Sequence, residues 1–307
     1  MTRVPYRRVA AASTRLRVHH VQTTADRGNG RRPRRMPRDF VSEHRRPPGG
    51  RAERYTTDVI SAIVSREGGR LPDETAEGGG VKTDDVRDHF RVQVPAYPAL
   101  MQRLIPHYDL QRDVMVSLMP ADRRRPLRIL DLGCGPGVLA SRLLDEYPRA
   151  TLTLFDLTEE MIDVCRSRLG QGSRVAFAVG DFRTDDVGEG YDVIVASRSL
   201  HHAPLDERPA LAARLLHSLA PGGQLITAEV VVDDSLAIRD RQYELWRRFM
   251  AAQGEDGEAW YQKHLAKDHP VMASAWLRLL TERGFAPAGC FWRYLNFAIF
   301  SGWRPVI

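Results

Sequence analysis

The sequence has little cysteine and no long apolar run. Its 307 residues contain three cysteines, Cys134, Cys165 and Cys290, which are too few for a disulfide framework. No apolar stretch approaches the roughly 18 residues that a membrane-spanning helix requires. We therefore expect a protein of a reducing compartment, placed in the cytoplasm and without a membrane partner.

Lysine is also scarce, with Lys82, Lys263 and Lys267 as its three occurrences. The net charge of +6 originates at one end of the chain, because residues 1–54 hold fifteen arginines against four acids and leave about −5 for the remainder. A mildly acidic folded part does not favour binding to a nucleic acid. The charge distribution therefore favours a small-molecule substrate and leaves tRNA as a less favoured partner.

Residues 1–80 lack a sustained apolar period and are interrupted by Pro47-Pro48-Gly49-Gly50 and Gly78-Gly79-Gly80. Such a composition predicts a disordered basic extension. An arginine-rich transit peptide and a basic tail that binds RNA are alternatives for the same segment. From Val81 to Met119 apolar residues recur at helical spacing, so a helical segment is predicted over residues 81–120.

Strand and helix patterns alternate between residues 128 and 230, which is typical of a parallel sheet covered by helices. Strands are predicted at 128–132, 151–155, 174–178, 191–196 and, after a Pro221-Gly222-Gly223 turn, 224–230. Two more strands, 288–294 and 296–303, follow one another with almost no loop and should pair antiparallel. The sequence therefore predicts an α/β fold with a seven-stranded, mostly parallel sheet and an antiparallel C-terminal hairpin.

A helical insert is predicted at residues 235–283, between the fifth strand and the hairpin. Its aromatic residues Tyr243, Trp246, Trp260 and Tyr261 could form the wall of an apolar pocket. A hydrophobic helix face that only packs into the core is the alternative.

One glycine-rich turn, Asp131-Leu132-Gly133-Cys134-Gly135-Pro136-Gly137, follows the first strand and precedes a helix that begins near Val138. Glycine permits positive φ and close approach of a ligand, and the helix N-terminus offers unpaired N–H groups. A carboxylate or phosphate of a nucleotide-like ligand would be bound there. A dinucleotide-binding turn requires its third glycine at position 138, where this chain has valine. A nicotinamide site and a glycine loop without a ligand are the alternatives.

The carboxyl ends of the parallel strands should meet at one edge of the sheet, where open α/β folds bind ligands. Asp131, Asp156, Asp181 and Ser197 stand at these strand ends. Asp156 lies nineteen residues after Gly137, close to the roughly twenty expected for an acid that accepts two ribose hydroxyls. A helix-capping aspartate is the alternative, although the nearby threonine at position 158 could serve as that cap.

The Asp-x-Gly-x-Gly-x-Gly pattern of Asp131–Gly137, together with Pro221-Gly222-Gly223, resembles the class I S-adenosyl-L-methionine (SAM)-dependent methyltransferases. The resemblance covers about residues 125–230 and implies a Rossmann-like sheet with SAM as the cofactor. It also implies one domain over 81–307, with a helical lid at 81–120 and the insert at 235–283 over the substrate. Asp131 would order the methionine amino end of SAM, and Asp181 would accept from the adenine amino group. The predicted cofactor-binding residues are Asp131, Gly133, Gly135, Gly137, Asp156, Leu157, Met161, Asp181, Phe182, Ser197, Arg103 and Tyr108.

His201 and His202 follow the fourth strand, where the substrate-facing loop of this family lies. A histidine there can act as a general base, and we assign this catalytic role to His201. A structural, hydrogen-bonded histidine is the alternative. No histidine and cysteine cluster has zinc spacing, and the predicted reaction requires no metal.

The flanking segments Arg103-x-x-Pro106-x-Tyr108 and Gln262-Lys263, and Trp292 with Asn296-Phe297, resemble the tRNA wobble-uridine enzymes that make or use carboxy-SAM. Where carboxy-SAM synthase has an arginine after Gln-Lys, this chain has His264, which favours ordinary SAM. We therefore predict a methyltransferase that acts on a small-molecule acceptor. A carboxy-SAM synthase-like enzyme of tRNA modification and a non-catalytic SAM-binding protein are the alternatives. The sequence leaves the oligomeric state open and is compatible with a homodimer.

Overall fold

A computed structural model describes residues 97–306, where strands and helices alternate as the sequence predicts. The strands are β1 (Arg128–Leu132), β2 (Thr151–Asp156), β3 (Val175–Val179), β4 (Tyr191–Ser197), β5 (Leu219–Val232), β6 (Val271–Met272), β7 (Ala288–Tyr294) and β8 (Phe297–Trp303). The helices are α1 (Tyr97–Leu104), α2 (Tyr108–Leu118), α3 (Val138–Glu146), α4 (Glu159–Leu169), α5 (Arg208–Ser218), α6 (Leu236–Ala252), α7 (Gly257–Lys267) and α8 (Ala273–Glu282), and a 3-10 turn spans Leu200–His202.

The described strands form one sheet in the order β3-β2-β1-β4-β5-β8-β7, and the short strand β6 pairs with the end of β5. Strands β1 to β5 are parallel, whereas β8 runs antiparallel to both β5 and β7. The predicted α/β fold with seven principal strands and an antiparallel C-terminal pair is therefore confirmed, and β6 is an unpredicted addition.

Alternate residues of the central strands face opposite helical layers. Ile129 and Val193 are fully buried against α2, α3 and α4, while Leu130 and Ile194 are fully buried against α5 and α8. A parallel sheet is normally covered on both faces, which is why these strands read as almost continuous apolar runs. The two covered faces leave the carboxyl edge of the sheet as the place for a ligand.

The start of β5 differs from the prediction. The pairs Tyr191–Leu219 and Val193–Gln224 are consecutive in the ladder, so the residues between the two β5 partners loop out of the sheet. This loop is the predicted Pro221-Gly222-Gly223 turn. The strand nevertheless begins before the turn, because Leu219 is already fully buried beside β4.

The region predicted as an insert, residues 235–283, divides into two differently packed parts. In α6, Tyr243, Trp246 and Met250 are buried and form a separate apolar cluster with α1 and Phe297. In contrast, α8 packs on the sheet through Trp276 and joins the core cluster of β4 and β5. The prediction of one insert over the substrate is therefore too long at its C-terminal end, because α8 is a layer helix of the sheet.

The predicted disordered extension over residues 1–80, and residues 81–96 of the predicted lid, lie outside the described residues. The remaining part of the predicted lid is helical in α1 and α2. No helix within residues 97–306 combines the length and the apolar character needed to cross a bilayer.

Candidate functional site

A cavity opens at the carboxyl edge of the sheet, beyond the ends of β1, β2 and β4. We call it the strand-end cavity. Twenty-three residues line it. Among them are Tyr97, Tyr108, Arg112, Asp131, Gly133, Gly135, Asp156, Leu157, Met161, Asp181, Phe182, Arg183, Ser197, Arg198, His202 and Lys267.

The glycine turn between β1 and α3 forms one wall of this cavity. A Cβ atom at Gly133, where φ is 72°, would lie 2.4 Å from Ser199 Cβ, so the turn packs against the segment that follows β4. A Cβ at Gly135 would meet no atom within 4 Å, and its φ of 52° is left-handed. Gly133 therefore serves packing, whereas Gly135 leaves an open space in which a ligand can approach the backbone.

Asp131 lies below this turn with 1% of its surface exposed. Its Oδ2 atom is buried and has no hydrogen-bond partner within the described chain. Burial, together with the charge of Asp156, raises the pKa of Asp131 to about 7. A buried acceptor without a partner is costly, so this position fits a ligand that brings a donor or a positive charge.

Asp156, at the end of β2, faces the glycine turn. Its Oδ2 accepts a hydrogen bond from the Gly135 N–H at 2.8 Å, and its Oδ1 accepts from the Thr158 N–H at 3.2 Å. Burial raises the pKa of Asp156 despite these bonds. The Thr158 hydroxyl accepts from the Met161 N–H and caps α4, as the sequence suggested. Asp156 is therefore available to the cavity rather than needed as the side-chain cap.

Asp181 follows β3 and pairs with a neighbour that the sequence analysis missed. Arg183 Nη2 lies 2.6 Å from Asp181 Oδ2, and Arg183 Nε lies 3.0 Å from Asp181 Oδ1. The predicted apolar side chains Leu157, Met161 and Phe182 line the same end of the cavity. This end thus combines an acid with flat apolar surface, which suits a purine-like ring.

Of the two predicted residues in the helical segment before β1, only Tyr108 reaches the cavity. The guanidinium groups of Arg112 and Arg198 lie 4.3 and 4.6 Å from the centroid of its ring. Arg103 does not line the cavity, and its Nε donates to Glu255 Oε1 at 2.6 Å. Leu100 and Leu104 form the buried face of α1, and Arg103 lies outside this face and away from the strand-end cavity.

Arg198 is a further residue that the sequence analysis missed. It stands directly after Ser197 with a left-handed φ of 59°, which costs a non-glycine residue roughly 1–2 kcal/mol. Its backbone N–H donates to the Ala228 carbonyl at 2.8 Å, which fixes the residue to β5. Its place in the sequence could have indicated this position, because it directly follows Ser197, which is predicted at the ligand-binding edge of the sheet.

The two histidines after β4 occupy different positions. His201 is 4% exposed, and its Nδ1 lies 3.3 Å from Glu229 Oε2. Burial, followed by the charge of His202, holds the pKa of His201 well below its usual range. His202 lines the strand-end cavity, and its Nδ1 lies 3.1 Å from Asp268 Oδ1. The structure therefore brings His202 rather than the predicted His201 to this cavity.

A second cavity lies between α1, α6, α7 and β8, and we call it the insert cavity. One side is apolar and is lined by Met101, Leu104, Ile105, Val230, Trp246, Met250, Trp260 and Phe297. The other side is polar and carries Tyr97, Arg198, His201, His202, Lys263, His264, Lys267 and Asp268. Trp246 and Trp260 thus line a pocket as predicted, whereas Tyr243 and Tyr261 do not line it.

His264 belongs to the insert cavity and is 4% exposed. Its Nε2 lies 3.0 Å from the Tyr243 hydroxyl, and its Nδ1 lies 2.7 Å from Asp268 Oδ2. Both ring nitrogens are therefore engaged within the protein. His264 does not line the strand-end cavity.

Asp268 ends α7 and brings three histidines together. The His269 N–H donates to the His201 carbonyl at 3.0 Å, which holds the end of α7 on the segment after β4. The side-chain atoms of His201, His202 and Asp268 that could bind a metal ion lie within 4.8 Å of one another. Among residues 97–306 this is the one group of at least three histidine, cysteine or acidic side chains placed in this way. The sequence does not reveal this group, because Asp268 comes close to the two histidines only when the end of α7 packs on the segment after β4. In the structure, Asp268 acts as a shared acceptor for these imidazoles.

Comparisons with known proteins agree with this geometry. A sequence model described as a methyltransferase domain matches residues 129–223. The carboxy-S-adenosyl-L-methionine synthase of Wolinella succinogenes is 30% identical over 234 residues, which cover 71% of this chain and 95% of the relative. The corresponding synthase of Chromohalobacter salexigens is 28% identical over 67% of this chain and 78% of the relative. The trans-aconitate 2-methyltransferase of Mycolicibacterium gilvum is 38% identical, but over only 38% of this chain and 40% of the relative.

Solved structures share the fold at low sequence identity. Phosphoethanolamine N-methyltransferase 2 of Haemonchus contortus, in complex with SAM, superposes with a TM-score of 0.54 at 16% identity over 74% of this chain and 61% of that chain. The DhpI complex with S-adenosyl-L-homocysteine (SAH) superposes with a TM-score of 0.52 at 16% identity over 72% of this chain and 95% of that chain. With a methyltransferase-domain match, a relative covered almost completely and the expected strand order, the chain belongs to the SAM-dependent methyltransferase family, whose cofactor is SAM.

Proposed function

We propose that this protein transfers a methyl group from SAM to a small-molecule acceptor bound in the insert cavity. One observation carries the proposal: Tyr97, Arg198, His202 and Lys267 line both the strand-end cavity and the insert cavity. A cofactor in the first and an acceptor in the second would therefore meet at this junction. Relatives named for trans-aconitate and for malonyl-[acyl-carrier protein] support an acceptor other than a nucleic acid.

The residues of the strand-end cavity fit the parts of SAM. The unpartnered Oδ2 of Asp131 would accept from the amino group of the methionine moiety. Asp156 would accept from the ribose hydroxyls, since each carboxylate oxygen can take more than one hydrogen bond. Asp181 would receive the adenine amino group, with Leu157, Met161 and Phe182 around the ring. The open space at Gly135 allows the ligand to lie directly on the backbone.

Residues at the junction of the two cavities would favour transfer of the methyl group. The sulfonium of bound SAM supplies an electrophilic methyl group, so the protein chiefly has to align the acceptor and exclude water. His202 Nδ1 lies 3.1 Å from Asp268 Oδ1, and a proton held on Nδ1 by this carboxylate would leave Nε2 as the acceptor nitrogen of the ring. We propose that His202 Nε2 accepts the proton that the acceptor loses on methylation. His201, which is buried beside Glu229, has a supporting role.

The decisive experiment has two parts. Isothermal titration with SAH should show binding, and NAD should show none, because the turn lacks the third glycine of a dinucleotide site. Incubation with methyl-labelled SAM and extracts of the source cell should then yield a labelled small molecule and SAH. An Asp131→Ala variant serves as the control that lacks the cofactor contact. Binding of NAD without binding of SAH would refute the assignment.

A carboxy-SAM synthase-like activity in tRNA modification is the second candidate. It is supported by the synthase relative that the chain covers over 95% of its length. Against it, His264 replaces the arginine of that family, lies outside the strand-end cavity and has both ring nitrogens engaged. Mass spectrometry of the ligand that copurifies with the protein separates SAM from carboxy-SAM. A protein that binds SAM but releases no SAH with any acceptor would be a non-catalytic binder.

We also infer a cytoplasmic setting, in which a homodimer remains compatible with the sequence. The three cysteines, Cys134, Cys165 and Cys290, are all free thiols, which suits a reducing compartment. Fractionation of the source cell and size-exclusion chromatography with light scattering test these two statements.

A further inference from the structure

Arg198 stands at the junction of the two cavities with part of its hydrogen-bonding capacity unused. Its Nη1 atom is buried and donates no hydrogen bond within the described chain. The guanidinium instead lies over the Tyr108 ring, 4.6 Å from its centroid. A ring face does not satisfy a guanidinium N–H as an anionic oxygen does, so the geometry calls for a further partner.

Two acids close to Arg198 are buried, and burial favours their neutral forms. Burial raises the pKa of Asp131 to about 7 and that of Glu229 to about 8, although Arg198 itself lowers both values. Asp268, the acid that lines the insert cavity, already accepts from His202 and His264. The buried Nη1 of Arg198 therefore remains available at the junction for an anionic group of a ligand.

The insert cavity as a whole combines a polar side that carries cationic groups with an apolar side. Its polar side carries the cationic side chains of Arg198 and Lys263 and the carboxylate of Asp268, which already accepts from two imidazoles. Its apolar side is built from indole, phenyl and thioether groups, with Trp246 and Phe297 packed edge to face at 5.6 Å. A ligand that fits both sides has an apolar or planar body and one anionic end.

The backbone of Arg198 supports a function for this residue beyond packing. Its φ of 59° is a conformation that side-chain-bearing residues rarely adopt. The hydrogen bond from its N–H to Ala228 holds the residue in this conformation, at the end of β4 and against β5. Strained backbone of this kind concentrates at ligand sites, where it aims a side chain.

We propose that Arg198 binds a carboxylate of the methyl acceptor, so that the acceptor is an apolar or planar carboxylic acid whose body occupies the insert cavity. This inference rests on the proposed function, because it takes the insert cavity as the acceptor site. The carboxylate lies at the junction, where Arg198 holds it, and the body extends towards Trp246 and Phe297. A bidentate contact with Arg198 fixes its orientation.

The test compares carboxylates with their neutral isosteres. Benzoate, trans-cinnamate and 2-naphthoate, and the amide of each, are titrated into the full-length protein saturated with SAH, with binding followed by isothermal titration and by tryptophan fluorescence. At least one acid should bind tenfold or more tightly than its amide. Arg198→Met should bring that ratio close to one, and Arg198→Lys should retain part of it. Arg247→Met is the matched control, because Arg247 lines neither cavity and pairs with Glu258, so its loss should preserve the ratio.

The results that overturn the inference are distinct from those that overturn the proposed function. If no acid exceeds its amide, including the case in which none binds, Arg198 does not select a carboxylate acceptor. If Arg198→Met weakens SAH tenfold and leaves the acid-to-amide ratio unchanged, Arg198 serves the carboxylate of the cofactor instead. Failure of the unmodified protein to bind SAH refutes the proposed function itself. Circular dichroism of each variant verifies that the protein is folded.

Discussion

The strand-end cavity and the insert cavity share a boundary but are built in different ways. The strand-end cavity takes its glycine turn and its acids from the ends of the parallel strands, and α1, α2 and the end of α7 complete its lining. The insert cavity joins α1, the segment after β4, α6, α7 and β8, which are separated by up to about two hundred residues. The glycine turn and the acids of the first cavity therefore depend on local strand–turn–helix sequence, whereas the second cavity exists only after distant segments have packed. Four substitutions or comparisons can break or sharpen this distinction.

The largest effect is expected for Gly133→Ala. Its Cβ would lie 2.4 Å from Ser199 Cβ, and its φ of 72° disfavours any side chain, so we expect a loss of roughly 3–5 kcal/mol in the free energy of unfolding. Gly135→Ala is the matched control, because its Cβ meets nothing within 4 Å. That variant should lose only about 1–2 kcal/mol but should bind SAH poorly. Urea denaturation and titration with SAH measure both quantities, and equal destabilisation would contradict the division of roles between the two glycines.

The next effect concerns pH. A carboxyl whose folded-state pKa exceeds its unfolded value binds an extra proton in the folded state, so its contribution to stability declines as the pH rises between the two values. For Asp131 this interval runs from the model-peptide value up to about 7, and for Glu229 up to about 8. Asp131→Asn and Glu229→Gln should each remove a decline on the order of 2–4 kcal/mol.

SAH separates these two acids. Binding of its amino group favours the charged form of Asp131, so affinity for SAH should increase as the pH rises through about 7 in the unmodified protein. Asp131→Asn should make the affinity nearly independent of pH, while Glu229→Gln should leave the dependence intact. Titrations at pH 6 and 8 decide this, and an unchanged dependence in Asp131→Asn would remove Asp131 from the site.

A smaller effect is expected for Asp156→Ala, which should weaken SAH binding by roughly 1–3 kcal/mol through loss of the ribose contacts. The variant also loses the acceptor of the Gly135 N–H, so a modest drop in stability should accompany it. Asp156→Asn keeps an acceptor for that N–H and should recover the stability more than the affinity. Unaltered SAH affinity in both variants would argue against the ribose assignment.

The smallest effect is expected for Trp246→Phe, on the insert side. Trp246 Nε1 donates to the Leu104 carbonyl at 2.7 Å, and loss of this bond should cost about 1 kcal/mol of stability. SAH affinity should remain the same, because Trp246 lines only the insert cavity. Thermal denaturation and titration with SAH test this. A large loss of SAH affinity would show that the two cavities do not act as separate sites.

The same distinction explains what the sequence could predict. The glycine turn and the acids at the strand ends could be predicted to lie together, because their positions depend on strand–turn–helix spacing within one unit. For Arg103 the resemblance gave a position on α1 but not the direction of its side chain, which pairs with Glu255 outside the strand-end cavity. Asp268 and Arg198 were missed, because the packing of α7 brings the first to the site and backbone strain after β4 aims the second.

The β5 strand and the insert show the same limit for the fold. Pro221-Gly222-Gly223 indicates a turn correctly, but its residues do not reveal that Leu219 already pairs with β4. The helical periodicity of residues 235–283 likewise does not distinguish α6 from α8. Only the tertiary contacts of Trp276 with the sheet core assign α8 to the layer.

The contact between Ser199 and the glycine turn has a consequence for engineering. The Ser199 hydroxyl donates to the Leu132 carbonyl at 2.7 Å. Ser199 is also the residue with which a side chain at Gly133 would clash. Arg198, His201 and His202 thus stand on a segment that is fastened to the turn after β1, and redesign of that segment would disturb both ligands at once. A new acceptor specificity is better sought in α1, α6 and α7, where side chains can be exchanged while the turn keeps its shape.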